Sequence, residues 1–454
     1  MDRVLLTVGG SDSSGGAGIQ ADIKTFGALG FHGASAVTAV TAQNTLGVRS
    51  IHPLPPGAVL AQLEALFDDF EISAAKTGML HDGEIVSAAA GFFEGMNIPL
   101  VVDPVIEAEA GGRLLSSPAL KLLCERLIPL ARVVSPNVFE AEAITGIRVK
   151  DEESAVRAGR AILDLGAEAA VVTGGHLEGD DVLVSGEGHL IIRGEKVAGG
   201  NHGVGCTYSA ALTALLGRGE SLETAAELAK KFAAASIRRS TAVGRGASPV
   251  NPLGGLLEGA DRYSVLTDLE RGVSILLGEP AILRLIPEVG SNLGMATPAA
   301  RSPEDVAAIE GRLVKAGPRV RACGSVKFGA SRHVARVLLS AMSCDPHTRA
   351  AMNVRFGEDV LEAVRTLGLT ISHFSREDEP AGSKTMSWGT AEAIRRYRSS
   401  PQFRDRPSRP VPQVIWDRGG PGKEPMVRIL GRSAVEVADL AVEIARKLLS
   451  DGNL

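Results

Sequence analysis

Aromatic side chains are scarce in this chain, with two Trp, three Tyr and 12 Phe among 454 residues. A site built from stacked rings is poorly provided for, whereas 53 glycines favour recognition by backbone loops. Cysteine is sparse too. Cys124, Cys206, Cys323 and Cys344 form no CxxC pair and no dense framework, which excludes a disulfide-stapled scaffold and fits free thiols in a reducing cytoplasm. No apolar run is long enough to span a bilayer, and Met1-Asp2-Arg3 runs into a strand-like VLLTV without a signal-peptide pattern. The net charge of −5 supplies no basic field for nucleic acid or an anionic membrane. The chain is otherwise ordinary for a globular protein, at 44% apolar and 22% charged, and its length exceeds a single core, so two domains, or three, are expected.

From Val4 to about Thr241, short β-branched runs alternate with helical patterns. Strands are predicted at Val4–Val8, near Val37–Val40, and at Ile72–Lys76, Pro99–Asp103, Arg132–Ser135 and Ala169–Thr173. Helices are predicted at Ile19–Leu29, Ala58–Phe67, Ala119–Leu127 and Ala155–Leu165. This alternation predicts an α/β fold, a three-layer and mostly parallel sheet whose ligands bind at the carboxyl ends of the strands. The Gly/Pro segment Gly244–Gly255 follows a long Ala-rich helix, and the expected division is 1–250, a linker at 251–261, and a second α/β domain at 262–454. In the second domain, helices are predicted near Tyr263–Leu277 and at His333–Met342, Glu358–Leu367 and Ala434–Leu449. Strands are predicted at Arg312–Val314 and Val320–Cys323, and a mobile loop at Tyr397–Pro412.

The predicted strand ends carry the chemistry. The first empties into Gly9-Gly10-Ser11-Asp12-Ser13-Ser14-Gly15-Gly16-Ala17-Gly18, a density of glycine that lets amides turn toward a phosphate or a polar ring. Gln43 and Asn44 offer donors and acceptors to a heterocycle edge. Lys76-Thr77-Gly78-Met79-Leu80 follows another strand, and Asp103-Pro104-Val105 supplies an acid suited to magnesium-bound water. Asn137 and Glu140 stand three apart at a helix start, facing one site. Each segment alone is more often loop structure than chemistry. Gly203-Val204-Gly205-Cys206-Thr207 before YSAALTALL presents free N–H groups and a positive dipole end to a phosphoryl group. Cys206 sits in the first turn, where a thiol's pKa is commonly lowered, and could accept the proton of an attacking hydroxyl. A buried thiol capping a helix is the plainer alternative for the cysteine by itself.

Together GGSDSSGGAGIQADIKTFGALG, TAVTAQNTLGV, KTGML, SPNVFEAE, TGGH and GVGCTYSAAL resemble the hydroxymethylpyrimidine/phosphomethylpyrimidine kinases of the ribokinase-like fold, over about Val4 to Ser248. The resemblance implies that Gly10, Asp22, Gln43, Met79 and Val105 line a pyrimidine pocket, with Cys206 in the base position. It implies that Gly203, Val204 and Gly205 form the anion hole, that Asn137, Glu140, Thr173 and Gly175 serve ATP, and that Asp103 and Glu140 serve Mg²⁺. Two positions depart from the pattern. Thr173 stands where many members have Lys, and Val204 stands within what is commonly GTGC. The resemblance further implies a homodimer acting on small molecules, and a pyridoxal kinase is the nearest rival.

From about Arg262 onward there is no P-loop, metal-ligand cluster or nucleophile elbow, but Arg, Lys and Gly recur near turns and suit an anionic ligand such as a diphosphate. PEVGSNL, KFGASRHVARVLL, MNVRF and GGPGKEPM resemble the archaeal thiamine-phosphate synthase domain that pyrimidine kinases carry as a fusion. The implied reaction joins hydroxymethylpyrimidine diphosphate to hydroxyethylthiazole phosphate. Arg312 and His333 take the catalytic positions, with Lys327 and Lys423 as weaker phosphate contacts. A non-catalytic sensor of a thiamine ester is the alternative for this half; no basic helix-turn-helix pattern accompanies it.

Overall fold

The β-branched runs of the first half become strands of one sheet. In the computed structural model, which describes residues 3–107, 114–175, 178–380, 385–420 and 422–451, two units separate at Leu257 and Glu258. The first holds β1 (Val4–Asp12), β2 (His32–Asn44), β3 (Gly47–Pro53), β4 (Ile72–Thr77), β5 (Leu100–Val102), β6 (Val133–Val134), β7 (Ala169–Val172), β8 (Asp181–Ser185) and β9 (Gly188–Ile192), ordered β3-β2-β1-β4-β5-β6-β7-β8-β9. The six central strands pair in parallel. β3, β8 and β9 add antiparallel pairs at the edges. The chain leaves β1 to one side for β2 and returns to the other side for β4. Such a reversal splays the loops after the two strands and opens a crevice at their carboxyl ends.

Helices cover both faces, and strand alternation sorts the core between them. Leu6, Val8, Ala75, Val102 and Val134 point toward the helices Pro56–Asp69 and Gly83–Phe93. Val101, Val133, Ala169 and Val171 point toward Val204–Arg218 and Leu222–Arg238. All these strand residues are buried, as expected where a parallel sheet is sandwiched. The expected three-layer α/β architecture is therefore present.

The second unit is α/β with a different sheet. Its seven strands run in the order Val326–Phe328, Val306–Ile309, Leu293–Ala296, Ala350–Arg355, Met426–Gly431, Val414–Asp417 and Ile371–His373. Only the last pair is parallel. Glu358–Thr366 and Ala434–Asp451 cover one face, Arg332–Met342 and Thr385–Arg398 the other. Residues 251–261, expected as a linker, include the start of a 25-residue helix, Gly254–Gly278. Tyr397–Pro412 is not the mobile loop expected. Tyr397 is 1% exposed at the end of a helix and packs edge-on against Phe403 of the short helix Pro401–Asp405, so burial of the ring overrides the Arg/Pro/Ser composition. His176 of the TGGH segment and Pro421 of GGPGKEPM lie outside the described residues.

Two asparagines from distant motifs tie this unit together. Asn292 donates Nδ2 to the Ile309 carbonyl at 2.8 Å and accepts the Ile309 N–H at 3.0 Å. Asn353 accepts the Asn292 N–H at 2.7 Å and donates to the Gly290 carbonyl at 3.1 Å. All four cysteines are free, and among the described residues no helix is long and apolar enough to cross a membrane. Asn292→Ala would orphan both Ile309 groups in a dry interior. The expected loss is on the order of 2–4 kcal/mol, read as a lower urea midpoint for the second unit at unchanged slope.

Candidate active sites

At the crevice between β1 and β4 a lysine lies wholly buried. Lys76 Nζ stands 2.9 Å from Asp22 Oδ1 and 3.6 Å from Asp103 Oδ2. Burial works against the ammonium, yet the charges of Asp22 and Asp103 outweigh it and lift Lys76 above its ordinary range. Burial also lifts Asp22. The ammonium and the Thr7 hydroxyl, 2.7 Å from Oδ2, oppose that, and because the lysine holds its proton the two stand as an ion pair. Asp103 accepts a 2.8 Å bond from Ser209, one turn beyond Cys206. Sequence reading marked Asp22 and Asp103 but gave Lys76 no role.

Cys206 lies within reach of this charge cluster, in the first turn of Val204–Arg218. Its thiol is not lowered as helix position suggested. Burial pushes it up to about 12, with Asp103 and Asp22 adding to the rise and Lys76 opposing it. No side chain caps this helix, so its amino end is open to an anion. Of the three expected anion-hole amides, that of Val204 is already donated to the Asn201 carbonyl at 3.2 Å. Gly203 has φ +85, and a Cβ there would collide with the Gly16 carbonyl, so only glycine lets the two loops meet.

Those loops are clasped by two residues that sequence reading missed. His202 Nε2 lies 2.9 Å from Asp12 Oδ2. The Asp12 carboxylate also accepts from the Ser14 hydroxyl and from the amides of Ser14, Gly16 and Ala17. Burial would raise Asp12, but His202, Ser14 and these amides hold it at about 2. Gln43 brings its Nε2 to 3.4 Å from the same imidazole, and Gly10 is packed against the Met79 methyl. Of the expected pocket residues, Gln43 therefore reaches the loop that carries Cys206, while Gly10 and Met79 pack on each other. Val105 follows Asp103 with φ +37, a strained conformation for a β-branched residue.

Asn137 and Glu140 form a reciprocal capping box rather than two free ligands. Asn137 accepts the N–H groups of Phe139 and Glu140, and Glu140 accepts those of Asn137 and Ile106. Burial and the charge of Asp103 raise Glu140 to about 7. Thr173 donates its N–H to the Pro136 carbonyl and bridges to Asn137, placing Gly174 and Gly175 beside the same strand ends. Among the described residues no group of three or more His, Cys, Asp or Glu is arranged to hold a metal ion.

In the second unit the motifs also converge. Glu424 accepts the N–H groups of Glu288 and Val289, joining the GGPGKEP and PEVG segments. Arg312 is exposed, donates to the Val289 carbonyl and has φ +79, a sparsely populated conformation for a side-chain-bearing residue. His333 keeps more than a third of its surface open, yet enclosure of its ring, then Arg428, Arg312 and Arg376, lower its imidazole to about 4. Lys327 is engaged in an ion pair with Glu310, while Lys423 is exposed in a tight Gly420–Lys423 turn. Sequence reading missed Arg376, Asp417 and Arg428. Asp417 is wholly buried and accepts from Arg376 at 2.6 Å and Arg428 at 2.8 Å.

Comparison with known proteins adds identity to this geometry. Residues 12–251 match the family model described as phosphomethylpyrimidine kinase, and residues 268–443 the one described as thiamine-phosphate synthase ThiN. The chain is 31% identical over 451 residues to the bifunctional thiamine biosynthesis protein ThiDN of Methanocaldococcus jannaschii, covering 98% of this chain and 99% of that one. It is 45% identical over 258 residues to the hydroxymethylpyrimidine/phosphomethylpyrimidine kinase of Haemophilus influenzae, covering 55% and 96% respectively. Among solved structures, an ADP complex of Bacillus subtilis pyridoxal kinase superposes with a TM-score of 0.53 at 34% identity, covering 57% of this chain and all of that one.

Two ionisation states can be read directly. Cys206, held near 12, should be alkylated by iodoacetamide at pH 8 more slowly than exposed Cys323, as followed by peptide mass spectrometry; faster labelling of Cys206 would show an activated thiolate. The His333 ring should stay neutral in NMR titration down to about pH 5, since it protonates only near 4.

Proposed function

The chain belongs to the phosphomethylpyrimidine kinase family and, along its whole length, to the ThiDN-type bifunctional thiamine biosynthesis proteins, and on that premise we propose the following division of labour. The first unit phosphorylates hydroxymethylpyrimidine and then its monophosphate. The second condenses the resulting diphosphate with hydroxyethylthiazole phosphate, releasing diphosphate and thiamine phosphate. The observation that carries the first assignment is the uncapped helix end bearing Cys206 beside the Lys76, Asp22 and Asp103 cluster.

Gly10, Gln43 and Met79 bound the pyrimidine pocket, and Asp22, fixed by Lys76, carries the charge at its floor. The free amides at the start of Val204–Arg218 stabilise the phosphoryl group in flight. Cys206 takes the hydroxyl proton. The acceptor is the thiolate, so the raised thiol acts only through its ionised fraction, and a loose transition state in which the proton leaves late asks little of that base. Thr173, Gly175 and Asn137 border the nucleotide. Asp103 would hold a divalent cation, with Glu140 close enough for their charges to interact but already accepting two amides. A hard ion uses one or two carboxylates and takes its other ligands from phosphate and water. Such an ion would neutralise phosphate charge when bound.

In the second unit, Arg312 and His333 hold the departing diphosphate. The neutral imidazole donates a hydrogen bond to it without adding a positive charge that would oppose the developing pyrimidine cation. The resemblance to ribokinase-like kinases supports a homodimer, and four free cysteines support a reducing cytoplasm. Free diffusion of the diphosphate between the sites is the simplest arrangement.

The expected outcomes are specific. With metal saturating, kcat for the pyrimidine should still rise with pH through 9, because a base held near 12 gains ionised fraction throughout. Cys206→Ser should lower kcat by about 10²–10⁴ and flatten that rise, with little change in KM for ATP. Glu140 titrates near 7, so protons compete with the cation below that pH; apparent Mg²⁺ affinity should fall about tenfold per pH unit there and level off above it. Faster turnover of pyridoxal than of the pyrimidine would reassign the first unit. Arg312→Ala and His333→Ala should remove thiamine phosphate formation while the kinase rate of the same chain stands; tight binding of thiamine phosphate by a wild-type chain that forms none would mark a sensor.

A further inference from the structure

The charges of Arg428, Arg312, Arg376 and the Asp417 carboxylate all reach His333, and hydrogen bonds tie the four groups to one set of loops. Asp417 accepts from Arg376, Arg428 and the Gly419 N–H, while Arg312 donates to Val289, whose own N–H goes to Glu424 of the same loop. They come from separate parts of the second unit. Arg428 lies on the central strand Met426–Gly431, Asp417 ends the neighbouring strand, and Arg376 begins a short turn after Ile371–His373. Asp417 is 0% exposed and Arg428 2%, so the pair forms the floor of the site. Arg428 is held further by Met386 Sδ at 3.4 Å and by the Phe374 ring, 5.5 Å from its guanidinium carbon, and its Nε has no partner.

Arg376 differs from both neighbours. It reaches Asp417 with Nε alone, at 2.6 Å, and its side chain keeps 12% of its surface. Its two terminal amino groups carry no other hydrogen bond among the described residues. Its Cδ runs beside Gly420, in the loop that Asp417 fixes by accepting the Gly419 N–H at 2.9 Å. A guanidinium gripped through Nε presents its far fork outward, the geometry that takes two oxygens of a phosphate at once. Asp417 neutralises only one of the two guanidinium groups that grip it, so the cluster retains a positive charge that suits an anionic ligand.

We propose that Arg376, oriented by the Asp417–Arg428 pair, is the phosphate-gripping residue of the second unit, in place of Lys327, and that Asp417 is its positioning residue. The assignment rests on the synthase reading for the ligand's identity but on geometry for the anion site. The shared chemistry is a phosphate or diphosphate group, and two sources exist: the diphosphate of the pyrimidine and the monoester of the thiazole.

The test uses the full chain, in which kinase activity of the first unit reports correct dosing and the thermal midpoint of the second unit reports that each variant is folded. Inorganic diphosphate and inorganic phosphate are titrated as inhibitors of thiamine phosphate formation and as ligands by calorimetry, for wild type, Arg376→Gln, Arg376→Lys and Lys327→Gln. Arg376→Gln should weaken diphosphate at least about tenfold at a temperature where the second unit remains folded despite the lost Asp417 pair. Arg376→Lys should restore part of it, because the charge survives while the fork is lost. Lys327→Gln should change neither. A rise in KM confined to the pyrimidine diphosphate assigns the fork to that group, and one confined to the thiazole phosphate assigns it to the monoester. Undiminished diphosphate binding in Arg376→Gln overturns the proposal. If the wild-type chain forms no thiamine phosphate yet binds diphosphate in an Arg376-dependent way, the anion site stands and the synthase reading falls.

Discussion

One buried ammonium organises the first unit. Lys76 emerges from the central strand pair at the place where strand order reverses, and it meets two carboxylates that would each be costly to bury alone. Removing its charge would leave Asp22 and Asp103 facing each other in a dry interior, a loss of about 3–5 kcal/mol for a broken buried pair. The lysine therefore fixes the orientation of both Asp22 and Asp103. It also acts against the burial that keeps Cys206 protonated. The second unit uses the opposite polarity: one carboxylate, Asp417, lies between two guanidinium groups. The first cluster sets two carboxylates around one ammonium, the second two guanidinium groups around one carboxylate.

Around Lys76 the site is built mostly of main chain. Asp12 gathers four donors from its own loop and reaches across to His202, so the loop after β1 and the loop before Val204–Arg218 behave as one piece. The absence of a side chain at Gly203 is what permits that contact. Because Gln43 also approaches His202, the loop after β2 and the two loops joined by Asp12 meet at a single imidazole.

Much of this arrangement was legible beforehand, and the exceptions have physical causes. The parallel core could be read because its strands are continuous apolar runs, and the placement of Asp103 and Thr173 at strand ends because those runs stop there. The Asp12–His202 contact could not, since 190 residues separate partners that look like ordinary loop polar groups. The three-residue spacing of Asn137 and Glu140 was visible, but the same spacing serves a capping box, which is what forms. Helix position argued for a reactive Cys206; burial beside two carboxylates proved the larger effect. Lys327 looked free until the strand pairing brought Glu310 beside it, and Arg376 carried no motif at all.

Arg312 holds a backbone conformation that glycine would adopt without strain. Such a position costs folding stability for as long as the side chain is retained, and the cost is worth bearing only while the guanidinium has a task. Glycine there would keep the turn and relieve the strain while deleting the guanidinium, so at this one position the backbone and the side chain pull toward different residues.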